Sequence, residues 1–198
     1  MNTLISIFEV VFQNDNFMVI NKKNEISTQE NKHYKESIEK DLRDFGKPFS
    51  LLPRSGIVHR LDKNTTGLLL NAKNIQYFEF LTSLFKERKI EKTYISLHEG
   101  KPQSYKGEIS FFLKTKFFKN NKVKMQVDSS EGKLIKLYFE TIEIKNGFTL
   151  IKVNPITGRT HQIRLAFQAI DLPIYNNCLY NRETASEKEI GQYLHAHY

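Results

Sequence analysis

Cysteine is almost missing from this 198-residue chain, and the single thiol, Cys178, excludes an intramolecular disulfide and any zinc site built from several thiolates. A reducing, cytoplasmic setting fits that usage. No apolar run approaches the roughly 18 residues a membrane span needs, so no membrane partner is expected. The first residues, Met1 to Glu9, lack a basic start and reach a carboxylate before a signal-like apolar segment can form. Glycine and proline are sparse, at 9 and 5 residues, and no stretch is rich enough in them or in serine to read as a linker. Internal repeats are absent as well. No nucleotide-cofactor fingerprint, metal cluster or glycosidase-like carboxylate pair stands out, so no cofactor and no metal are called for.

What remains is a basic chain with enough apolar residues for one core. At 39% hydrophobic, 198 residues can bury the interior of a single domain, and a second would be cramped. Thirty Lys and Arg against 22 Asp and Glu give a formal charge of +8, which favours a polyanionic partner, nucleic acid being the simplest. Charge alone does not decide this, because many basic proteins are merely soluble.

The most informative stretch runs from Gly56 to Leu70, G-I-V-H-R-L-D-K-N-T-T-G-L-L-L. Ile57 and Val58 lead in with β-favouring side chains, and Leu68 to Ala72 lead out as an apolar run of strand length. Between them Asp62, Asn64, Thr65, Thr66 and Gly67 make a polar turn rich in groups that bond nearby backbone. One reading makes Asp62 a carboxylate held rigidly at a surface; the other makes it a plain turn residue. A calcium loop fails, because the position that needs a bidentate Glu is Lys73.

Elsewhere the chain reads as strands and helices in alternation. Val10 to Gln13 and Phe17 to Asn21 flank Asn14-Asp15-Asn16 as a hairpin. Glu30 to Phe45 reads as a charged amphipathic helix ending at Gly46, with Pro48 beyond as a stop. Ile75 to Arg88 places Tyr77, Phe78, Leu81, Leu84 and Phe85 at helical spacing, a stripe better suited to a core than to base stacking. Lys89 to Leu97 alternates as a strand carrying Tyr94, whose ring would ordinarily lie half-buried in a sheet. From Phe111 to Val127 lysines alternate with apolar residues around Lys119-Asn120-Asn121-Lys122, predicting a hairpin whose lysines either track phosphates or guard an edge. A strand from Glu131 to Glu143, the hairpin signal Lys145-Asn146-Gly147, and a return strand Phe148 to Val153 follow.

That strand runs into Thr157-Gly158-Arg159-Thr160-His161-Gln162-Ile163-Arg164, a loop that starts a helix continuing through Phe167. Arginines near a helix start oppose its dipole, which is a reason to suspect an anion there.

Two motifs carry a resemblance. His59-Arg60-Leu61-Asp62-Lys63-Asn64-Thr65-Thr66-Gly67 resembles the H-R-L-D-x-x-T-S-G signature of the RluA family of RNA pseudouridine synthases, departing only at Thr66, and Thr157 to Arg164 matches that family's T-G-R-T-H-Q-I-R at every position. Lys92-Thr93-Tyr94 resembles its K-x-Y element, and Leu194-His195-Ala196 its L-H-A strand. The resemblance departs in two loops. Lys22 is not followed by the usual proline and glycine, and Asp171 to Asn177 stands where the family has Gly-x-Pro-x-x-Gly-Asp.

The resemblance implies an α+β, single domain with a mixed, largely antiparallel β-sheet flanked by helices, the pseudouridine synthase fold. That catalytic domain would span residues 1–198, with no accessory RNA-binding domain and a short C-terminus. It implies isomerisation of specific uridines in structured RNA, ribosomal or transfer, to pseudouridine by a cytoplasmic monomer. Asp62 would be the nucleophile at the ribose C1′, with removal of the neighbouring 2′ proton as the alternative route. Tyr94 would be the active-site tyrosine, offering its face to uracil. Arg164 would pair with Asp62 and keep it ionised. The base would be flipped out first. Arg60, His59, Arg159, His161, Gln162 and Thr66 complete the candidate RNA and substrate contacts; Arg60 either meets a phosphate or forms a structural salt bridge, and His161 orients or packs rather than acting as acid or base. From another class, a catalytically silent RNA-binding protein retaining the fold is the alternative, and a base-releasing glycosidase is a second.

Overall fold

Asn14 makes the first reversal of the chain, its side-chain oxygen accepting the N–H groups of Asn16 and Phe17 at 2.9 Å each. This joins β1 (Phe8–Gln13) to β2 (Phe17–Lys22) as the hairpin expected from Asn14-Asp15-Asn16. The computed structural model describes residues 8–30, 36–117, 123–128, 130–180 and 191–198. The chain divides into two compact units, Met1–Ile90 and Glu91–Tyr198.

In the first unit β2 pairs antiparallel with β3 (Thr66–Ala72), setting Ile20 opposite Leu69 and Lys22 opposite Gly67. Helix α1 covers Ile38–Asp44 and buries Ile38 and Leu42. It is shorter than the helix expected from Glu30 to Phe45. Ser37 is extended and its hydroxyl accepts the Lys40 N–H at 3.1 Å, so the cap sets the start there. Residues 31–35 of that expectation lie outside the described residues. Glu30 is drawn back to the helix by Arg43, which grips it with two hydrogen bonds. The stop at Gly46 holds, with φ at +93°.

Gly56 is a position only glycine can fill: φ is +78°, and a Cβ there would stand 2.2 Å from the Ala72 carbonyl oxygen. The close approach lets Ile57 bridge Asn71 on β3. That one bridge is all that forms of the lead-in strand expected at Ile57 and Val58. Helix α2 (Ile75–Lys86) follows, capped by the Asn74 side chain on the Tyr77 N–H at 2.9 Å. Its stripe of Tyr77, Phe78, Leu81, Leu84 and Phe85 packs with Val58 and Ala72 as core, as the spacing predicts.

In the second unit β4 (Tyr94–Glu99), β5 (Lys106–Phe117), β6 (Val123–Asp128), β7 (Lys133–Lys145), β8 (Phe148–Pro155) and β9 (Leu194–Ala196) pair antiparallel in the order β9-β4-β8-β7-β5-β6. The strand expected from Lys89 starts only at Tyr94. Asn154 explains the delay, its amide donating to the Lys92 carbonyl and the Thr93 hydroxyl. The β7–β8 turn takes positive φ at Asn146 and Gly147, +51° and +81°, the backbone that an Asn-Gly hairpin favours. The β5–β6 turn at Lys119 to Lys122 lies outside the described residues, although the two strands pair as expected. Helix α3 (Gln162–Gln168) buries every residue from Gln162 to Phe167. Phe167 packs edge-on to Phe139 of β7 and against the His98 ring of β4. Both units join antiparallel strands to helices, and the α+β class read from the sequence is the class observed.

Candidate active site

The turn bearing Asp62 has almost no strand partners, so its backbone polar groups must be satisfied by side chains. Thr28 does this for Leu61, its buried hydroxyl accepting the Leu61 N–H at 3.1 Å and donating to the Leu61 carbonyl at 2.8 Å. Lys22 does it for Lys63. Its ammonium, fully buried, donates at 2.9 Å to each of the Lys63, Lys23 and Ile26 carbonyls. Within the turn the Thr65 N–H bonds the Asp62 carbonyl at 3.0 Å. The Asp62 carboxyl is thus half-buried on a backbone fixed from two sides.

Burial pushes the Lys22 amine down to about 8, a shift that the nearby Asp62 carboxylate partly opposes. Neither Lys22 nor Thr28 was among the site residues read from the sequence. A signal for Lys22 exists: β2 buries every second residue, Met18, Ile20 and Lys22, so a lysine occupies an inward position of an apolar alternation. Thr28 has no such mark.

His59 stands at the other margin of the turn. Its Nε2 accepts the Leu70 N–H at 2.9 Å, and its ring stacks on Phe85 at 4.5 Å between centroids. Arg60 is exposed, and Thr66 is half-buried at the start of β3. The first unit therefore gathers His59, Arg60 and Asp62 on one loop and Thr66 on the strand it enters.

The second unit gathers the other motif. Arg164 is buried on α3, and its Nε and Nη2 donate to the side-chain oxygen of Asn177 at 3.0 and 2.7 Å. The guanidinium carbon lies 5.2 Å from the centre of the Tyr180 ring. The Tyr180 hydroxyl meets His161 Nδ1 at 2.7 Å, and His161 itself holds the left-handed backbone that starts the helix, with φ at +55°.

Gln162 is buried as a knot of the preceding loop. Its oxygen accepts the Thr157 hydroxyl at 2.6 Å and the Arg159 N–H at 3.0 Å, and its amide donates to the Lys136 carbonyl at 3.3 Å. Arg159 is exposed. Tyr94 opens β4 between Val153 of β8 and Ala196 of β9, half-buried against the core of its unit. Asn177 entered the sequence reading only as the end of a loop that departs from the family pattern, and Tyr180 not at all, since a double asparagine and a lone tyrosine in a loop announce nothing about a helix residue more than ten positions upstream.

A second buried anchor fixes the loop that carries Asn177. His98 of β4 bonds the Leu172 carbonyl through Nδ1 at 2.8 Å and the Ser96 hydroxyl through Nε2 at 2.7 Å. Desolvation lowers this imidazole to about 4, so it is neutral near pH 7. The Tyr175 N–H to Leu97 carbonyl bond and the His98–Ile174 bridge extend the attachment.

The family described as RNA pseudouridylate synthase matches residues 16–169. Over 144 residues the chain is 36% identical to ribosomal large subunit pseudouridine synthase D of Borreliella burgdorferi, a match that covers 73% of this chain and 44% of that protein. It is 34% identical over 188 residues to an uncharacterized RNA pseudouridine synthase of Haemophilus influenzae, covering 95% and 79% of the two. The chain thus spans less than half the length of the Borreliella relative. Among solved structures it is similar in fold to human RNA Pseudouridylate Synthase Domain Containing 1, with a TM-score of 0.80 at 24% identity over 96% of this chain and 76% of that one. With its two sharpest motifs at 59–67 and 157–164 and a family match from 16 to 169, the chain belongs to the RluA-type family of RNA pseudouridine synthases.

Proposed function

We propose that this protein isomerises uridine to pseudouridine in structured RNA, with ribosomal RNA the first substrate to test and transfer RNA the second. Family membership, with the Asp62 motif matched at every specified position but Thr66, carries the reading. The name of the Borreliella relative points toward ribosomal RNA. The excess of eight positive charges suits a polyanionic substrate. One catalytic domain acting as a cytoplasmic monomer is the simplest form of the proposal.

In this reaction the bond from C1′ to N1 of uracil breaks, the base turns, and C5 bonds to C1′; N1 gains a proton and C5 loses one, so composition is unchanged. Asp62 is the nucleophile that opens the sequence at C1′. A half-buried carboxylate on a turn pinned by Lys22 and Thr28 supports that role, because a nucleophile must be held in near-attack geometry. Arg164 is the cation that partners Asp62 in the reaction, and Tyr94 stacks on the extruded uracil. Arg60 and His59 on one loop with Thr66 on the strand it enters, and Arg159, His161 and Gln162 on the other, shape and contact the RNA path. Extrusion of the base costs a few kcal/mol, which phosphate contacts must offset.

The test is to incubate the purified protein with total RNA from a strain lacking it and to map pseudouridine chemically in ribosomal and transfer RNA. New sites should appear with wild type, and Asp62→Ala should bind RNA as well while losing turnover by roughly 10⁴-fold or more. RNA bound but never modified would establish the silent binder in place of the enzyme. Release of free uracil would mean a glycosidase.

A further inference from the structure

We infer that Asn177 and Tyr180 are positioning residues for Arg164, and that the neutral amide at 177 fixes the guanidinium while leaving its positive charge to act on an anion during the reaction. The inference rests on the proposed function for the identity of the reaction; the clamp itself stands on geometry.

One amide oxygen accepts from both Nε and Nη2 of Arg164, so the guanidinium plane is set by a two-point grip. The Tyr180 ring then fixes which face is covered. Tyr180 is in turn held at its hydroxyl by His161, the residue whose left-handed backbone starts the helix carrying Arg164. The loop from Leu172 to Asn177 that presents the amide is tied to β4 by His98. Every part of the grip is therefore anchored, and Asn177 is fully buried.

The amide is a peculiar choice for a purely structural role. Its oxygen faces the arginine fork, which settles the orientation of the group, because the reverse would set N–H groups against N–H groups. The NH₂ end is consequently committed to the other side. That Nδ2 is buried and finds no acceptor among the described residues. A carboxylate of the same size would accept the same two hydrogen bonds, carry no orphan donor, and form a bidentate ion pair. The one property an aspartate could not share is neutrality. Holding a buried guanidinium with a neutral acceptor keeps its field available to a second negative group, whereas an adjacent carboxylate would cancel most of it at the same distance.

The experiment compares Asn177→Asp, Asn177→Leu and Tyr180→Phe in the full chain. Asn177→Asp keeps the grip, removes the orphan donor and adds a negative charge, so its plateau kcat should stay within about threefold of wild type while the acid limb of the kcat profile moves up by about one pH unit. Asn177→Leu removes the grip, and kcat should fall about 30-fold or more with KM changed less than threefold. Tyr180→Phe removes the hydroxyl bond to His161 and should reduce kcat by a few-fold. An acid limb that does not move in Asn177→Asp overturns the inference, as does wild-type kcat in folded Asn177→Leu. The Arg164 Nε–H resonance gives a readout independent of turnover. It should be protected from exchange in wild type and Asn177→Asp and lose at least tenfold of that protection in Asn177→Leu; equal protection in all three refutes the clamp. Should wild type modify no RNA, the functional reading falls, and the resonance alone decides the clamp.

Discussion

Two loops, one bearing the Asp62 motif and one gripping the arginine that ends the other motif, are held by opposite chemistries. The Asp62 turn is organised by a cation, the buried ammonium of Lys22, whereas the loop presenting Asn177 to Arg164 is organised by a neutral imidazole, His98. Burial lowers both groups, Lys22 to about 8 and His98 to about 4, yet the consequences near neutrality differ. At pH 7 His98 is already in the form its site favours. Lys22 is not: it is held charged where burial opposes charge, and three carbonyls retain it because only an ammonium has three N–H donors to give them. The Asp62 turn is thus kept in shape at an energetic cost, while the loop behind the arginine sits at its optimum.

The largest effect should come from breaking the cationic anchor. Lys22→Met keeps the length of the side chain but leaves the three carbonyls without their donor, which should destabilise the protein by about 2–5 kcal/mol in urea unfolding. The pH dependence sharpens the point. The folded-state value of Lys22 lies below its ordinary one, so the unfolded chain binds more protons between about 8 and 10.5, and wild type gains stability from this group as pH rises through that window. The deficit of Lys22→Met should therefore be larger at pH 9.5 than at pH 7. A deficit under 1 kcal/mol at both values would mean that the ammonium organises nothing.

The neutral anchor should fail on the other side of neutrality. His98 has a folded-state value near 4 against an ordinary 6.5, so its contribution is complete above about 6.5 and is lost as pH falls through about 4. The loss amounts to about 3 kcal/mol. Thermal melts of wild type from pH 7 to pH 4 should fall more steeply than those of His98→Gln, which has no proton to take up. Parallel curves would show that the imidazole titrates normally, and the contrast between the two loops would collapse.

The same contrast explains what the sequence disclosed. Hairpins at Asn14-Asp15-Asn16 and Asn146-Gly147 were legible because turn chemistry is local, and the apolar stripe of α2 because its period is. The motif around Asp62 and the one ending at Arg164 were legible as strings. What holds them was not. Thr28 acts on Leu61 across 33 residues and Lys22 on Lys63 across 41, separations at which no periodicity speaks. Even so, the lysine at an inward position of β2 was a clue in plain view. The lead-in strand expected at Ile57 and Val58 shrinks to one bridge, with the Ile57 N–H closing the preceding turn on the Arg54 carbonyl, and β-propensity cannot foresee that.

Thr28 offers the finest test, because it separates the turn's backbone from its charge. Thr28→Val preserves volume and β-branching, and removes only the hydroxyl that serves both the N–H and the carbonyl of Leu61. Those groups are buried beside Leu61, which is itself 4% exposed, so water cannot readily replace the lost bonds. The cost should be about 1–3 kcal/mol, smaller than for Lys22→Met because no charge is involved. Hydrogen exchange then localises it: the Leu61 amide should lose protection while amides of β4 and β8 keep theirs. If protection at Leu61 survives the substitution, the hydroxyl is a bystander, and Lys22 alone defines the turn.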